Sequence, residues 1–410
     1  MAGGALEGVR IVDLTSVVVG PLATQILADH GADVIKVESS AGDLVRVMNG
    51  KSVTPGMGAK FLHLNRNKRS IVLDLKQSAG YSALVKLLER ADVMVWNNRP
   101  RSMARMKLSY EDVRKINPKI IYCGLFGFGQ DGRYRDKPAY DTIIQGAGGM
   151  SALHHRSFGE PRFVPMVVAD KVVGLIAVQM IAMALYGRAR TGAGCSIEIP
   201  MFENLVKFVL EEHMYLKTFV PPLGETGDPR LIDPLNKPVP TRDGWICISA
   251  NTNDQVFAFF DAIGRPELRT DPRFSSVPAR FANVKGYFEI RIEALKAKTT
   301  AEWLEIFDRA DIPATPYHTL DSLLEDPHLA DAGFFEVKDH PTEGKTRVMR
   351  LPNKWSGGAR REWSPAPKLG QHSVEILREI GCDEAEIEAM IAADVTVDGR
   401  LRNGPAPAVN

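Results

Sequence analysis

Val9-Arg10-Ile11-Val12-Asp13-Leu14-Thr15 opens a stretch that runs on through Gly20-Pro21, Gly31 and Asp33-Val34-Ile35-Lys36-Val37-Glu38. The apolar run at 9–14 predicts a buried strand. Pro21 suits the first turn of a helix, where its missing N–H has no partner to lose. Residues 22–30 continue with helical spacing, and Gly31 stops the helix. Residues 33–38 read as a second buried strand. Strand, helix and strand in so short a span begin a parallel sheet, because parallel neighbours need a crossover between them.

The alternation continues outward. Residues 70–75, 93–96 and 120–125 read as strands, and 78–90 and 110–117 as helices. This pattern predicts a doubly wound α/β fold. A long apolar helix follows at 172–187, a strand at 195–199 and a helix at 202–217. Pro and Gly crowd 221–244, which reads as a linker. Elements at 245–249, 254–263, 285–296 and 300–308 predict a smaller α/β domain. Helical segments return at 375–380 and 383–392, and the last ten residues read as loose. The expected organisation is a large domain from 1–220, a small one from 221–330, and a C-terminal part, 331–410, that returns to the first.

Composition narrows the functional classes. Apolar residues make up 44% and charged residues 25%, as in ordinary globular proteins. The formal charge of +1 points to neither nucleic acid nor an anionic membrane as partner. Cys123, Cys195, Cys247 and Cys382 are far apart and the histidines are scattered, so no disulfide framework or metal site is expected. Residues 1–8 lack the pattern of a secretory leader. The run at 172–185 is short for a membrane span. A cytoplasmic protein is expected.

Three places carry candidate chemistry. Arg66, Lys68 and Arg69 precede a predicted strand; they read either as a phosphate-binding cluster or as a solvated basic turn. The loop 15–20 follows the first strand, where open α/β sheets bind ligands, but it lacks GxGxxG. Glycines at 124, 127, 129, 146, 148 and 149 permit close backbone approach or tight turns, with Tyr140-Asp141 between them. Asp170 lies near the start of the apolar helix. It reads as a helix cap, or as a carboxylate nucleophile beside backbone donors that would stabilise an oxyanion.

The ordered motifs resemble the family III CoA-transferases, the CaiB/BaiF group. The resemblance rests on Gly8 to Thr15 with Gly20-Pro21, Gly31 to Glu38, Asn67-Lys68-Arg69-Ser70 with Asp74-Leu75-Lys76, and Asn98-Arg99-Pro100. It continues through Tyr140-Asp141, Ala169-Asp170 with Gly174, Arg190 to Gly194, Asp271-Pro272-Arg273-Phe274 and Asp326-Pro327-His328. It spans nearly the whole chain. It implies a Rossmann-like large domain built from both chain ends, a smaller α/β domain and an interlocked homodimer.

The same resemblance implies CoA transfer from an acyl-CoA to an acceptor carboxylic acid through covalent intermediates on Asp170. CoA and acyl-CoA are substrates, and no tightly bound cofactor is implied. The implied CoA contacts are Ser16, Val17, Val18, Leu73, Lys76, Asn97, Asn98 and Arg105, joined by the cluster Arg66, Lys68 and Arg69. Tyr140, Asp141, Gly148 and Gly149 are implied at the acyl site. Ser39 stands where many members carry Arg, Asn98 where they carry Phe, and Arg101 where they carry Gly; Arg101 or Lys51 would supply the missing cation. An acyl-CoA racemase and a non-catalytic CoA-binding protein are the rival readings. A racemase, however, needs a base where this chain has Tyr140. Arg156 reads either as a contact to a second carboxylate or as a surface residue.

Overall fold

The structure is a computed structural model that describes residues 4–48, 50–356 and 362–400. The expectations for the last ten residues and for residues 1–3 lie outside the described residues. The chain forms two compact units. The first comprises Met1–Gly148, Val164–Phe208 and Gly333–Asn410; the second comprises Gly149–Phe163 and Val209–Ala332.

In chain order the elements are β1 (Arg10–Leu14), α1 (Val19–Asp29), β2 (Asp33–Glu38), α2 (Ala59–Asn65), β3 (Lys68–Val72), α3 (Ser78–Glu89) and β4 (Val93–Trp96). Next come α4 (Pro100–Arg105), α5 (Tyr110–Ile116), β5 (Ile121–Phe126), α6 (Asp141–Ala147), α7 (Met150–Phe158), α8 (Val168–Thr191) and β6 (Cys195–Pro200). The first unit's main sheet has six strands in the order β3-β2-β1-β4-β5-β6, and every pairing in it is parallel. The order reverses between β1 and β4. A ligand crevice belongs there, beyond the C-terminal ends of those two strands.

Parallel strands covered on both faces must be apolar throughout, and all six residues of β5 are buried. Val12, Ile35, Ile71, Met94 and Trp96 from the sheet pack with Leu84, Leu87 and Leu88 of α3. The C-terminal segment joins this unit through β3: Val72 N–H donates to Ser373 Oγ at 3.2 Å, and Gly370 N–H to Ser70 Oγ at 3.0 Å.

β3 begins at Lys68, two residues before the expected start. Lys68 is buried because its ammonium meets Asp13 Oδ2 at 3.1 Å, the Pro21 carbonyl at 3.0 Å and Asn65 Oδ1 at 2.9 Å. The expected helix at 172–187 is longer at both ends, 24 residues in all. Gly174 lets α8 approach α1 closely: a Cβ there would stand 2.9 Å from the Val19 carbonyl oxygen and 3.2 Å from Leu22 Cδ2. Gly174→Ala should therefore destabilise the fold by about 1–3 kcal/mol through overpacking. Urea unfolding midpoints check this; an unchanged midpoint would refute the tight contact.

The second unit has a small antiparallel sheet of Val239–Pro240, Trp245–Ile248 and Ala314–Pro316. Helices cover it, and Phe259, Phe260, Phe274, Trp303 and Phe307 form its core. Thr252 with Gln255, and Thr299 with Glu302, begin two of these helices as reciprocal caps.

Candidate active site

Asp170 lies in the first turn of α8 but does not cap it: Val167 occupies the cap position, and no side chain there bonds the helix. Its own N–H instead donates to Asp141 Oδ1 at 3.0 Å. The other oxygen of Asp141 accepts from Gln145 Nε2 at 2.6 Å. Gln145 also donates to the Met166 carbonyl at 3.0 Å and accepts from Val164 N–H at 2.9 Å. One buried amide thus ties α6 to the segment entering α8. Two carboxylates in low-polarity surroundings cannot both ionise freely. Burial, and then the neighbouring charge of Asp141, push Asp170 up to about 7, while Lys60 acts the other way.

The loop after β1 faces the same space and is held by the half-buried Asn97 and the buried Asp43 and Lys36. Asn97 accepts from Ser16 N–H at 3.0 Å and donates to the Ser16 carbonyl at 2.8 Å. Val17 has φ +72°, a costly conformation for a β-branched residue. Its N–H is fixed on Asp43 Oδ1 at 3.1 Å. Lys36 clamps Asp43 at 2.9 Å and donates to the Thr15 carbonyl at 2.8 Å. Burial alone would lower the Lys36 pKa, but Asp43 and Asp13 outweigh it and the ammonium is held in its charged form.

Two cavities meet at this loop. The first, about 810 Å³, is lined by Ser16, Leu73, Lys76, Asn98, Arg105 and their neighbours. The second, about 960 Å³, is lined by Ser16, Val17, Val18, Asn97, Asn98, Arg105, Tyr140 and Asp170 among others. Ser16, Asn98 and Arg105 belong to both walls. Arg99, Arg101, Arg135 and Lys137 add positive charge to the second, against the carboxyl groups of Asp170 and of Asp136, which pairs with Arg101.

The geometry bears on four expectations. Arg66, Lys68 and Arg69 are not a free phosphate-binding cluster, because each charge is spent on a carboxylate. Arg66 pairs with Asp29 at 2.6 Å, Lys68 with Asp13 at 3.1 Å, and Arg69 with Asp33 at 2.8 Å and with Glu375 and Glu379. Gly148 and Gly149 line neither cavity. Gly148 is required by packing, since a Cβ would stand 2.9 Å from the Ile144 carbonyl and from Leu205 Cδ2, and Gly149 turns the chain at φ +86°. Arg156 is committed to Thr226, donating to its carbonyl at 2.6 Å. Lys51 lines neither cavity, and the cation against Glu38 is Arg46, at 2.8 Å.

Sequence reading missed Asp43, Lys36, Gln145 and Lys60. Apart from the Gln145–Asp141 bond, four positions apart on α6, the bonds that matter here span 7 to 21 positions, and no local motif marks them. Among the described residues, no group of His, Cys, Asp and Glu could hold a metal ion.

Residues 6–373 match the family model of CoA-transferase family III. The chain belongs to that family. It is 33% identical over 398 residues to the succinyl-CoA:glutarate CoA-transferase of Mus musculus, covering 95% of this chain and 90% of the relative. It is 32% identical to a formyl-CoA:oxalate CoA-transferase of Streptomyces avermitilis, covering 94% and 98%. Among solved structures, a CAIB/BAIF family protein of Brucella suis superposes with a TM-score of 0.77 at 30% identity, covering 92% of this chain and all of that one. As a family III CoA-transferase, the chain moves CoA from an acyl-CoA thioester to a carboxylic acid through a covalent intermediate.

Proposed function

We propose that Asp170 carries that covalent intermediate and that CoA occupies the two joined cavities. The nucleotide end then lies in the cavity with Leu73 and Lys76, and the thioester reaches Asp170 past Ser16, Asn98 and Arg105. One observation carries the reading: a buried carboxylate of raised basicity shares a cavity with the start of α1, whose cap residue Val18 offers no side-chain acceptor to the helix N–H groups. In this reading those N–H groups stabilise negative charge on a carbonyl oxygen.

In the proposed cycle an Asp170 oxygen adds to the thioester carbonyl, and the C–S bond breaks to give an aspartyl anhydride and CoA thiolate. The thiolate adds to the aspartyl carbonyl and expels the donor acid. The acceptor carboxylate attacks the resulting aspartyl-CoA thioester, releasing thiolate and forming a second anhydride. The thiolate then attacks the acceptor acyl carbon and frees Asp170. Covalent capture keeps the thioester's free energy from being lost to water.

Mass spectrometry of the enzyme quenched during turnover tests the assignment. An adduct on the peptide containing Asp170 is expected; an adduct on another carboxylate would refute it. The pH dependence is a second check. The nucleophile is the ionised form, so acyl capture is expected to rise with pH, reach half its maximum near pH 7 and level off above. Asp141→Asn removes the neighbouring charge and should move that midpoint to lower pH. A midpoint that stays in place would exclude Asp141 as the cause.

We further propose that the enzyme works as an interlocked homodimer in the cytoplasm, with no membrane partner. By length and composition α8 is apolar enough to cross a membrane. Its Gly174 face instead meets α1, while Leu175, Met183 and Tyr186 stay exposed. A second copy covering that face accounts for those side chains. All four cysteines are free, which suits a reducing compartment.

A further inference from the structure

A third cavity in the first unit, about 210 Å³, shares no lining residue with the two that meet at the loop after β1. α2 contributes Leu62 and His63 to it, the Phe335–His340 and Gly344–Met349 hairpin contributes His340, Arg347 and Val348, and the chain beyond adds Trp363 and Ala366. Two buried ring nitrogens on these walls have no hydrogen-bond partner: His340 Nε2 and Trp363 Nε1. Buried polar atoms are ordinarily paired, so two orphans on one small cavity call for a partner.

The state of His340 follows from its other nitrogen. Nδ1 faces the N–H groups of Thr342 at 3.2 Å and Glu343 at 3.3 Å, so it accepts. The ring proton therefore sits on Nε2, and the orphan is a donor. Burial holds the His340 pKa below the usual histidine range, and the Ala366 backbone, which acts the other way, does not stand in hydrogen-bond geometry to Nε2. His340 is only 7% exposed. Indole Nε1–H is a donor as well. Two unused donors thus border the cavity, together with Arg347, which has no ion pair among the described residues. No Asp or Glu lines it. The partner these groups call for is an anion.

The rest of the wall sets its class. Ala59, Leu62, Val348 and Ala366 present carbon, which a bare phosphate would leave uncovered. A cavity of roughly 150 Å³ holds a molecule of benzene's size, about six heavy atoms, so this one takes a slightly larger guest. We propose that it binds a short-chain carboxylic acid, its carboxylate on the Trp363, His340 and Arg347 donors and its carbon chain against Leu62, Val348 and Ala366. This is a second acid site, separate from the acyl site, and its failure would leave the reading of Asp170 untouched.

Calorimetric titration of the full-length protein with sodium butyrate tests the proposal. Trp363→Phe keeps the ring bulk and removes the donor. It should weaken one butyrate-binding event by about tenfold or more. Arg347→Gln, an exposed change that leaves the fold alone, should weaken the same event several-fold. Both variants should keep the native kcat. Butyramide, which lacks the charge, and inorganic phosphate, which lacks the chain, should each bind about tenfold more weakly than butyrate. Equal butyrate affinity in the native protein and both variants overturns the site, as does the absence of any such event. Phosphate binding as tightly as butyrate overturns the carboxylic acid class.

Discussion

Asp170→Asn is expected to lower kcat by at least about 10⁴-fold, the scale seen when a covalent nucleophile is removed. It should leave the folded chain as stable as before, or more so. The two expectations share one cause. The Asp170 carboxyl is buried and close to Asp141, and ionising it there is costly enough to raise its pKa to about 7. An amide of the same shape has no charge to desolvate and none for Asp141 to repel. The backbone bond that fixes the residue, Asp170 N–H to Asp141 Oδ1, survives the substitution. Chemistry is therefore lost while a strained electrostatic arrangement is relieved, as expected of a site that trades stability for reactivity. Single-turnover rates and urea midpoints on the same preparations check both halves. Near-native turnover would dismiss Asp170 as nucleophile. Loss of activity together with a clearly less stable fold would show that the residue mainly holds the structure.

Which parts of this site could be read from sequence follows from how local the physics is. The opening β1-α1-β2 was legible because its signals are neighbours in the chain: an apolar run, Pro21 in the first helical turn, and a second apolar run. Its place at the start of an apolar helix marked Asp170 first as a cap, which is the wrong detail, and the resemblance to the family made it the candidate nucleophile. The bond that orients it comes from Asp141, 29 positions earlier, and no periodicity reports such a pairing. Short helices such as α2 and α6, seven residues each, span too few turns for a pattern to show. The charged residues were hardest to place. Lys36 sits in a run that reads correctly as a strand, yet nothing local says that its ammonium reaches Thr15 and Asp43. Arg66, Lys68 and Arg69 look like a basic cluster only while their carboxylates, far away in the chain, are out of view.

That misreading turns into a second large expected effect, because the two roles for Lys68 give opposite results. Lys68→Met should cost about 3–5 kcal/mol of stability, the usual penalty for removing one partner of a buried ion pair. The loss is that of an abandoned charge. Asp13 is fully buried, and burial alone would raise its pKa; Lys68 and Lys36 overcome this and hold it down to about 2. Without Lys68, Asp13 keeps Thr15 and Thr24 as hydrogen-bond donors but loses the cation 3.1 Å away. The Pro21 carbonyl and Asn65 Oδ1 lose their donor as well. Pro21 belongs to α1, and Thr15 leads into the loop that faces Asp170, so the weakened region lies beneath the two cavities proposed to take CoA. A phosphate-binding Lys68 would behave differently, giving a native unfolding midpoint and a raised KM for acyl-CoA. The buried network gives a lowered midpoint. It also leaves the KM for acyl-CoA near native at temperatures where the variant is still folded, since the Lys68 side chain reaches no solvent and lines neither cavity. Urea unfolding beside acyl-CoA kinetics below the transition separates the two. A native midpoint with a raised KM would return Lys68 to the cofactor.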